Sequence, residues 1–184
     1  RPCNTRFMTD LLFVADPLEH FKIYKDTTFA MMREAARRGH GLWACTPEQL
    51  SWQRGGAVIA RGARNIRLTG DEHAWFADLE TRDVPLRDFA GAGGAVLMRK
   101  DPPFDSEYFY ATHLLEQAQR EGATVFNEPR SLRDHPEKLA ILEFPEHIAP
   151  TLVTRSAQAV RDFHAEHRDI ILKPLDGMGG MGIF

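Results

Sequence analysis

The residues with the most chemical potential stand near the end of the chain. Gly177-Met178-Gly179-Gly180-Met181-Gly182 places four glycines in six positions. Such a loop presents backbone N–H groups that can wrap phosphate oxygens without side-chain obstruction. Lys173 lies just before it, in the apolar stretch Ile171-Leu172-Lys173-Pro174. From there a lysine would place its ammonium beside the same phosphates. Gly177, Gly179 and Gly182 formally match G-x-G-x-x-G. A dinucleotide site also needs a following helix and an acidic residue about 20 positions on. Neither falls within the sequence, which also lacks the Gly-Lys-Ser/Thr of a P-loop. A plain hairpin turn is the competing reading of these glycines.

A second set is Arg99-Lys100-Asp101, which follows the apolar run Ala95-Val96-Leu97-Met98. In open α/β sheets, ligands gather at the carboxyl ends of strands. Two positive groups there suit an anionic substrate. Asp16 ends the first apolar run, and Lys25-Asp26 precedes the first predicted helix. Topology puts both on the same rim. Lys138 reads from local pattern alone as a solvated helix residue. The eight histidines show no H-E-x-x-H spacing, and no G-x-S-x-G elbow occurs.

The elements that must position these residues are legible as apolar runs between turn signals. Leu11–Ala15 predicts a buried strand. Thr27 or Thr28 is expected to cap a helix running to Arg38, with Gly39 as its stop. Leu42–Cys45 predicts a second strand, and this β-α-β order implies a parallel sheet with crossover helices. Gly55-Gly56 suggests a hairpin, Ala63–Thr69 a further strand, and Asp71–Asp88 a covering segment of poor regularity. Ala95–Met98 is the next core strand. Asp105 or Ser106 is expected to cap a helix through Arg120, and Ala123–Phe126 to form a strand. Beyond Pro129 the pattern predicts a helix over Ser131–Phe144, a strand at Thr151–Thr154, a helix from Ser156 to His167, and a strand at Ile170–Pro174. Ile183-Phe184 reads as the return strand of a hairpin, as if the chain were cut inside a second domain.

Composition narrows the classes. The 184 residues are 43% apolar and 27% charged, an ordinary soluble mix. A net charge of −3 leaves no electrostatic footprint for nucleic acid or anionic membrane. No apolar run approaches the roughly 18 residues of a membrane span. Cys3 and Cys45 form no metal or redox spacing, and a reducing cytoplasm is the expected compartment.

Several blocks, in order, resemble bacterial glutathione synthetases. They include Phe13-Val14-Ala15-Asp16-Pro17, Lys25-Asp26-Thr27-Thr28-Phe29-Ala30-Met31 and Leu97-Met98-Arg99-Lys100-Asp101-Pro102-Pro103-Phe104-Asp105. Asn127-Glu128-Pro129-Arg130-Ser131-Leu132-Arg133-Asp134 and Leu172-Lys173-Pro174-Leu175-Asp176-Gly177-Met178-Gly179-Gly180 follow. The resemblance runs from about Leu11 to Phe184. It implies an α/β fold: a Rossmann-like, pre-ATP-grasp parallel-sheet domain over 10–130, then the first part of an ATP-grasp domain over 131–184. Residues 1–9 form a leader without counterpart.

What the resemblance implies for function is ATP-dependent ligation of γ-glutamylcysteine to glycine through an acyl phosphate. It assigns Lys138, Lys173, Gly177, Met178, Gly179 and Gly180 to ATP. Arg99, Lys100 and Asp101 fall to the dipeptide. Mg²⁺ would bind carboxylates beyond the end of this chain, so the 184 residues alone are expected to be inactive. A homo-tetramer in the cytoplasm, without nucleic-acid or membrane partners, completes the expectation. Another ATP-grasp carboxylate–amine ligase, or a non-catalytic dipeptide-binding or oligomerisation module, is the alternative.

Overall fold

A computed structural model describes residues 9–177 and 182–184. Cys3, and the other positions before Thr9, lie outside them. The described chain divides into two units. One runs to Asp101 and resumes over Asp105–Asp134; the other comprises Pro102–Phe104 and His135–Phe184.

The first unit is built on a mixed sheet. Strand β1 (Asp10–Val14) leads to helix α1 (Thr27–Arg37), which returns to β2 (Gly41–Cys45). The short β3 (Leu50–Ser51) turns into the ten-residue β4 (Ile59–Leu68), which pairs with β5 (Phe76–Pro85). Then come β6 (Gly94–Met98), α2 (Ser106–Arg120), β7 (Val125–Phe126) and the short α3 (Pro129–Asp134). The sheet order is β3-β4-β2-β1-β6-β7, with β5 on the other edge of β4. β1 is parallel to both β2 and β6, and β6 is parallel to β7. The β3–β4–β5 portion is antiparallel, so the expected parallel sheet holds for its centre and not for this extension.

β1 shows why an unbroken apolar run was needed. Leu12 and Val14 face a core shared with Leu115 and Ala118 of α2, whereas Phe13 faces the opposite core with Met32 and Ala35 of α1. A strand covered by helices on both faces has no polar side to show. Gly94 opposes Asp10 across the β1–β6 ladder. A Cβ there would stand 2.5 Å from the Asp10 carbonyl oxygen, so the close approach requires glycine. Gly122, at φ +105°, closes α2 in a conformation other residues rarely adopt.

Several expectations are corrected. Asp71–Asp88 contains β5, a full strand rather than an irregular cover. Ala63–Thr69 is not a separate strand: β4 runs from Ile59 to Leu68, with a register shift between Ala60 and Ala63. The helix expected over Ser131–Phe144 is instead α3, ending at Asp134, followed by a single turn at Ala140–Glu143. Pro136 accounts for the break, since its ring disfavours helical backbone at His135. Thr151–Thr154 and Ile170–Pro174 form no strands. Leu172 and Phe184 do exchange reciprocal backbone bonds, at 2.8 and 3.1 Å, in the manner of a hairpin.

In the second unit, α4 (Ala157–His167) is capped by Ser156, whose Oγ accepts from the Ala159 N–H at 3.2 Å. His135 and Glu143 are paired, and the Phe104 N–H donates to the Asp176 carbonyl at 3.3 Å. None of the described residues from His135 onward is buried.

Candidate functional site

In the first unit the site is made by chain direction. β1 and β6 run parallel with Val14 opposite Met98, so both chains leave the sheet side by side. The Arg99 N–H extends the ladder by donating to the Val14 carbonyl at 2.7 Å. Asp16 therefore emerges next to Arg99-Lys100-Asp101. The α1 N-terminus arrives at the same rim, because a helix that follows β1 must start where β1 ends.

Local bonds then fix each side chain. Asp26, not Thr27 or Thr28, caps α1: its Oδ1 accepts from the Phe29 N–H at 2.8 Å. The two threonine hydroxyls are thereby left for Arg99, whose Nη2 donates to Thr27 Oγ1 at 2.8 Å and Nε to Thr28 Oγ1 at 3.2 Å. Lys100 Nζ lies 2.9 Å from Asp16 Oδ1 and donates to the Asp101 carbonyl at 2.7 Å. The second Asp16 oxygen accepts the Asp101 N–H at 3.0 Å.

The rim's charges are mixed. Burial, reinforced by the Asp16 and Asp26 carboxylates, raises the Asp101 carboxyl above the ordinary aspartate value, against the opposing pull of Arg99 and Lys100. Tyr108 of α2 is near enough for the charges of the same groups to act on it. Burial raises its phenol, with Arg99 lowering it and Asp101 adding to the rise. Sequence reasoning missed Tyr108, and it read Thr27 and Thr28 as caps. The signal available for the threonines was Asp26 directly before them, itself a strong cap residue.

The loop between β1 and α1 is fastened from outside the rim. Arg64 of β4 donates to Glu19 Oε1 at 2.6 Å and holds Asp78 of β5 in a fork of two 2.8 Å bonds. Trp75 stacks on Phe21 at 5.6 Å and meets Phe29 edge-on at 5.1 Å. Asp16 and Asp26 are therefore held on a loop anchored at its middle. Cys45, also at a strand end, is buried, and its thiol is pushed up to about 12, which removes it as a nucleophile.

In the second unit, Lys138 Nζ donates to the Gly177 carbonyl at 2.7 Å, bringing this lysine to the base of the Gly-rich loop. Glu137 lies 3.6 Å from the same ammonium. Lys173 is exposed, four residues ahead of Gly177. Met178, Gly179 and Gly180, the rest of the expected phosphate loop, lie outside the described residues. Among the described residues no three His, Cys, Asp or Glu side chains gather to hold a metal ion. No described helix is long and apolar enough to cross a membrane.

The family model of the prokaryotic glutathione synthetase N-terminal domain matches residues 9–133, and that of the prokaryotic glutathione synthetase ATP-grasp domain matches residues 137–184. Glutathione synthetase of Ralstonia nicotianae is 57% identical over 174 residues, covering 95% of this chain and 52% of that protein. Glutathione synthetase of Nitrosomonas europaea is 51% identical over 175 residues, covering 95% and 53% respectively. A solved structure of the ATP-grasp ligase PsnB, complexed with minimal precursor, aligns with a TM-score of 0.44 at 19% identity, over 93% of this chain and 54% of that one. The chain spans about half the length of the curated relatives it matches.

Proposed function

Because this chain belongs to the prokaryotic glutathione synthetase family, we propose that it serves as the N-terminal portion of a ligase joining γ-glutamylcysteine to glycine, driven by ATP. The observation that supports this best is the succession of two domain matches along one chain, 9–133 and then 137–184. One candidate cluster falls within each.

In the proposed reaction the ATP γ-phosphoryl group passes to the cysteinyl carboxylate, giving an acyl phosphate and ADP. The glycine amine then attacks the acyl carbon, inorganic phosphate leaves, and the amide forms. Such chemistry needs positioned phosphates, fixed positive charge and exclusion of water more than covalent help from side chains. Lys138 and Lys173 are assigned to the nucleotide, and the loop from Gly177 through Met178, Gly179 and Gly180 to its phosphates. The Lys138–Gly177 bond supports this, since it sets an ammonium at the loop that would fold over them. Arg99, Lys100 and Asp101 are assigned to the dipeptide. The proposal places the ligands of Mg²⁺ in the part of the complete enzyme beyond this chain, as the family resemblance implies. We also take that enzyme to be a cytoplasmic homo-tetramer, as the family resemblance implies.

The test is glutathione formation with equal ADP release by the full-length protein. Preference for another acceptor amino acid would make it a different carboxylate–amine ligase. Dipeptide binding without any turnover would make it a binding module. The 184-residue chain alone is expected to form no glutathione, and product from it would overturn the assignment of catalysis to the complete enzyme.

A further inference from the structure

Strand β5 bonds to β4 along one side, and among the described residues no strand pairs with its other side. Asp78–Asp83 are exposed without a break, so neither face of the strand is covered along that stretch. An open edge is a template for another strand, and proteins commonly blunt it with lysine, proline or a bulge. This stretch holds no lysine, and no proline comes before Pro85. The ladder with β4 shifts register between Ala60 and Ala63 and again between Asn65 and Ile66. Between those shifts Glu80, Thr81 and Arg82 pair regularly with Asn65, Arg64 and Ala63.

The charges on this regular run are self-complementary. A two-fold axis at Thr81, pairing the edge antiparallel with a copy of itself, sets Glu80 opposite Arg82 twice. Parallel pairing in register would set Glu80 on Glu80 and Arg82 on Arg82, and like charges directly opposite are destabilising. An axis at Glu80 would set Asp78 opposite Arg82, but both Asp78 oxygens are already held by Arg64. An axis at Arg82 would set Glu80 opposite Val84, which is buried. Arg82 is already oriented for its partner. Its guanidinium lies over Trp43, 4.7 Å from the ring centroid, and its Nε donates to Glu80 of the same strand at 3.4 Å. Its terminal nitrogens bond nothing among the described residues. Leu79, 59% exposed, stands two positions from the axis.

We propose that the outer edge of β5 is an interface for a second copy of this chain, paired antiparallel about Thr81 so that two sheets continue as one. Such a contact is isologous: it closes on itself and leaves no β5 edge from which a fibre could grow. It is smaller than the roughly 1,200–2,000 Å² of a stable interface, so association through this edge alone should depend on concentration, in about the micromolar range. The proposal goes beyond the ligase reading and does not rest on it, because its test reads association and not catalysis.

Sedimentation of the full-length protein should show self-association that Glu80→Arg and Arg82→Glu each weaken by about tenfold or more, since each sets like charges opposite one another. Mixed in equal amounts, the two variants should regain it, because every facing pair is then arginine with glutamate. Mild oxidation of Thr81→Cys should give a covalent dimer that the wild type does not give, because facing Cβ atoms of paired strands lie about 4.5–5.5 Å apart. Unchanged circular dichroism would show that the variants are folded. The proposal is overturned by a wild type that stays monomeric at about a hundred micromolar, by association that neither reversal weakens, or by Thr81→Cys that does not cross-link. Should the variants fail to fold, hydrogen exchange of the wild type decides: the amides of Asp78–Asp83 should slow as concentration rises. Equal protection at every concentration would mean that the edge is covered within one chain, and would overturn it.

Discussion

Asp16 holds Lys100 with one carboxylate oxygen, at 2.9 Å, and the backbone N–H of Asp101 with the other, at 3.0 Å. One side chain at the end of β1 thus sets both a cation and a backbone segment at the end of β6. Loss of that carboxylate would leave a half-buried ammonium unmatched and the 99–101 segment free to shift. Asp16→Ala is expected to destabilise the first unit by about 1–3 kcal/mol, the range for leaving a buried polar partner unsatisfied. In the complete enzyme it should raise the KM for the dipeptide more than that for ATP. Urea unfolding and initial-rate kinetics check both parts. A stable variant with wild-type dipeptide KM would show that Asp16 does not position this rim.

The two lysines of the second unit predict different outcomes. Lys173 is exposed and Lys138 is tied to Gly177. Lys173→Ala should weaken ADP binding to the complete enzyme by about tenfold or more through loss of a charge partner for phosphate. Lys138→Ala should weaken it at least as much, because it removes both a cation and the bond that holds the base of the loop. Fluorescence titration with ADP measures each. Undiminished affinity in Lys173→Ala would count against its assignment to the nucleotide.

How far the sequence disclosed this arrangement depended on whether burial left a pattern. β1, β2 and β6 were legible because both faces are covered, and their apolar runs say so. β5 was not, because most of its residues are exposed and its sequence, Phe-Ala-Asp-Leu-Glu-Thr-Arg-Asp-Val-Pro, reads as a polar loop. Its strand form comes from the β4 ladder and from ion pairs such as Arg64–Asp78 across it. Arg99 and Asp101 were legible as a charged strand end. That Lys100 turns to Asp16 while Arg99 turns to Thr27 and Thr28 was not, since it depends on partners more than 70 positions earlier in the sequence.

Arg64 predicts a pH dependence. Its bonds hold the Glu19 carboxyl below its ordinary 4.5 and the Asp78 carboxyl below its ordinary 3.8. A carboxylate more acidic in the folded state stabilises it fully above the unfolded value, and that contribution disappears as pH falls through the lower folded value. Stability from this network should therefore persist at neutral pH and decline below about pH 4. Both carboxylates are well exposed, so solvent screens the effect and it should be modest. Arg64→Met should flatten the acid limb of the urea midpoint measured from pH 7 to pH 3. Parallel profiles for the two proteins would exclude this role for Arg64.

The contrast in burial between the units predicts where the isolated 184-residue chain is stable. The first unit contains side chains with no exposure, among them Phe13, Leu12, Met32 and Leu115. Each such side chain contributes about 1.5–3 kcal/mol when withdrawn from water. In the second unit α4 presents Val160, Phe163 and His167 at helical spacing, but all three are only half-buried. An eleven-residue helix is marginal in water unless its apolar stripe is covered. Amides of β1, β2 and β6 should therefore exchange slowly with deuterium, near the limit set by global unfolding, while those of α4 exchange within the shortest labelling times. Slow exchange across Val160–His167 in the isolated chain would mean that the second unit stabilises itself without further burial. Fast exchange there, slowed in the full-length protein, would show that the stripe is covered by residues outside this chain.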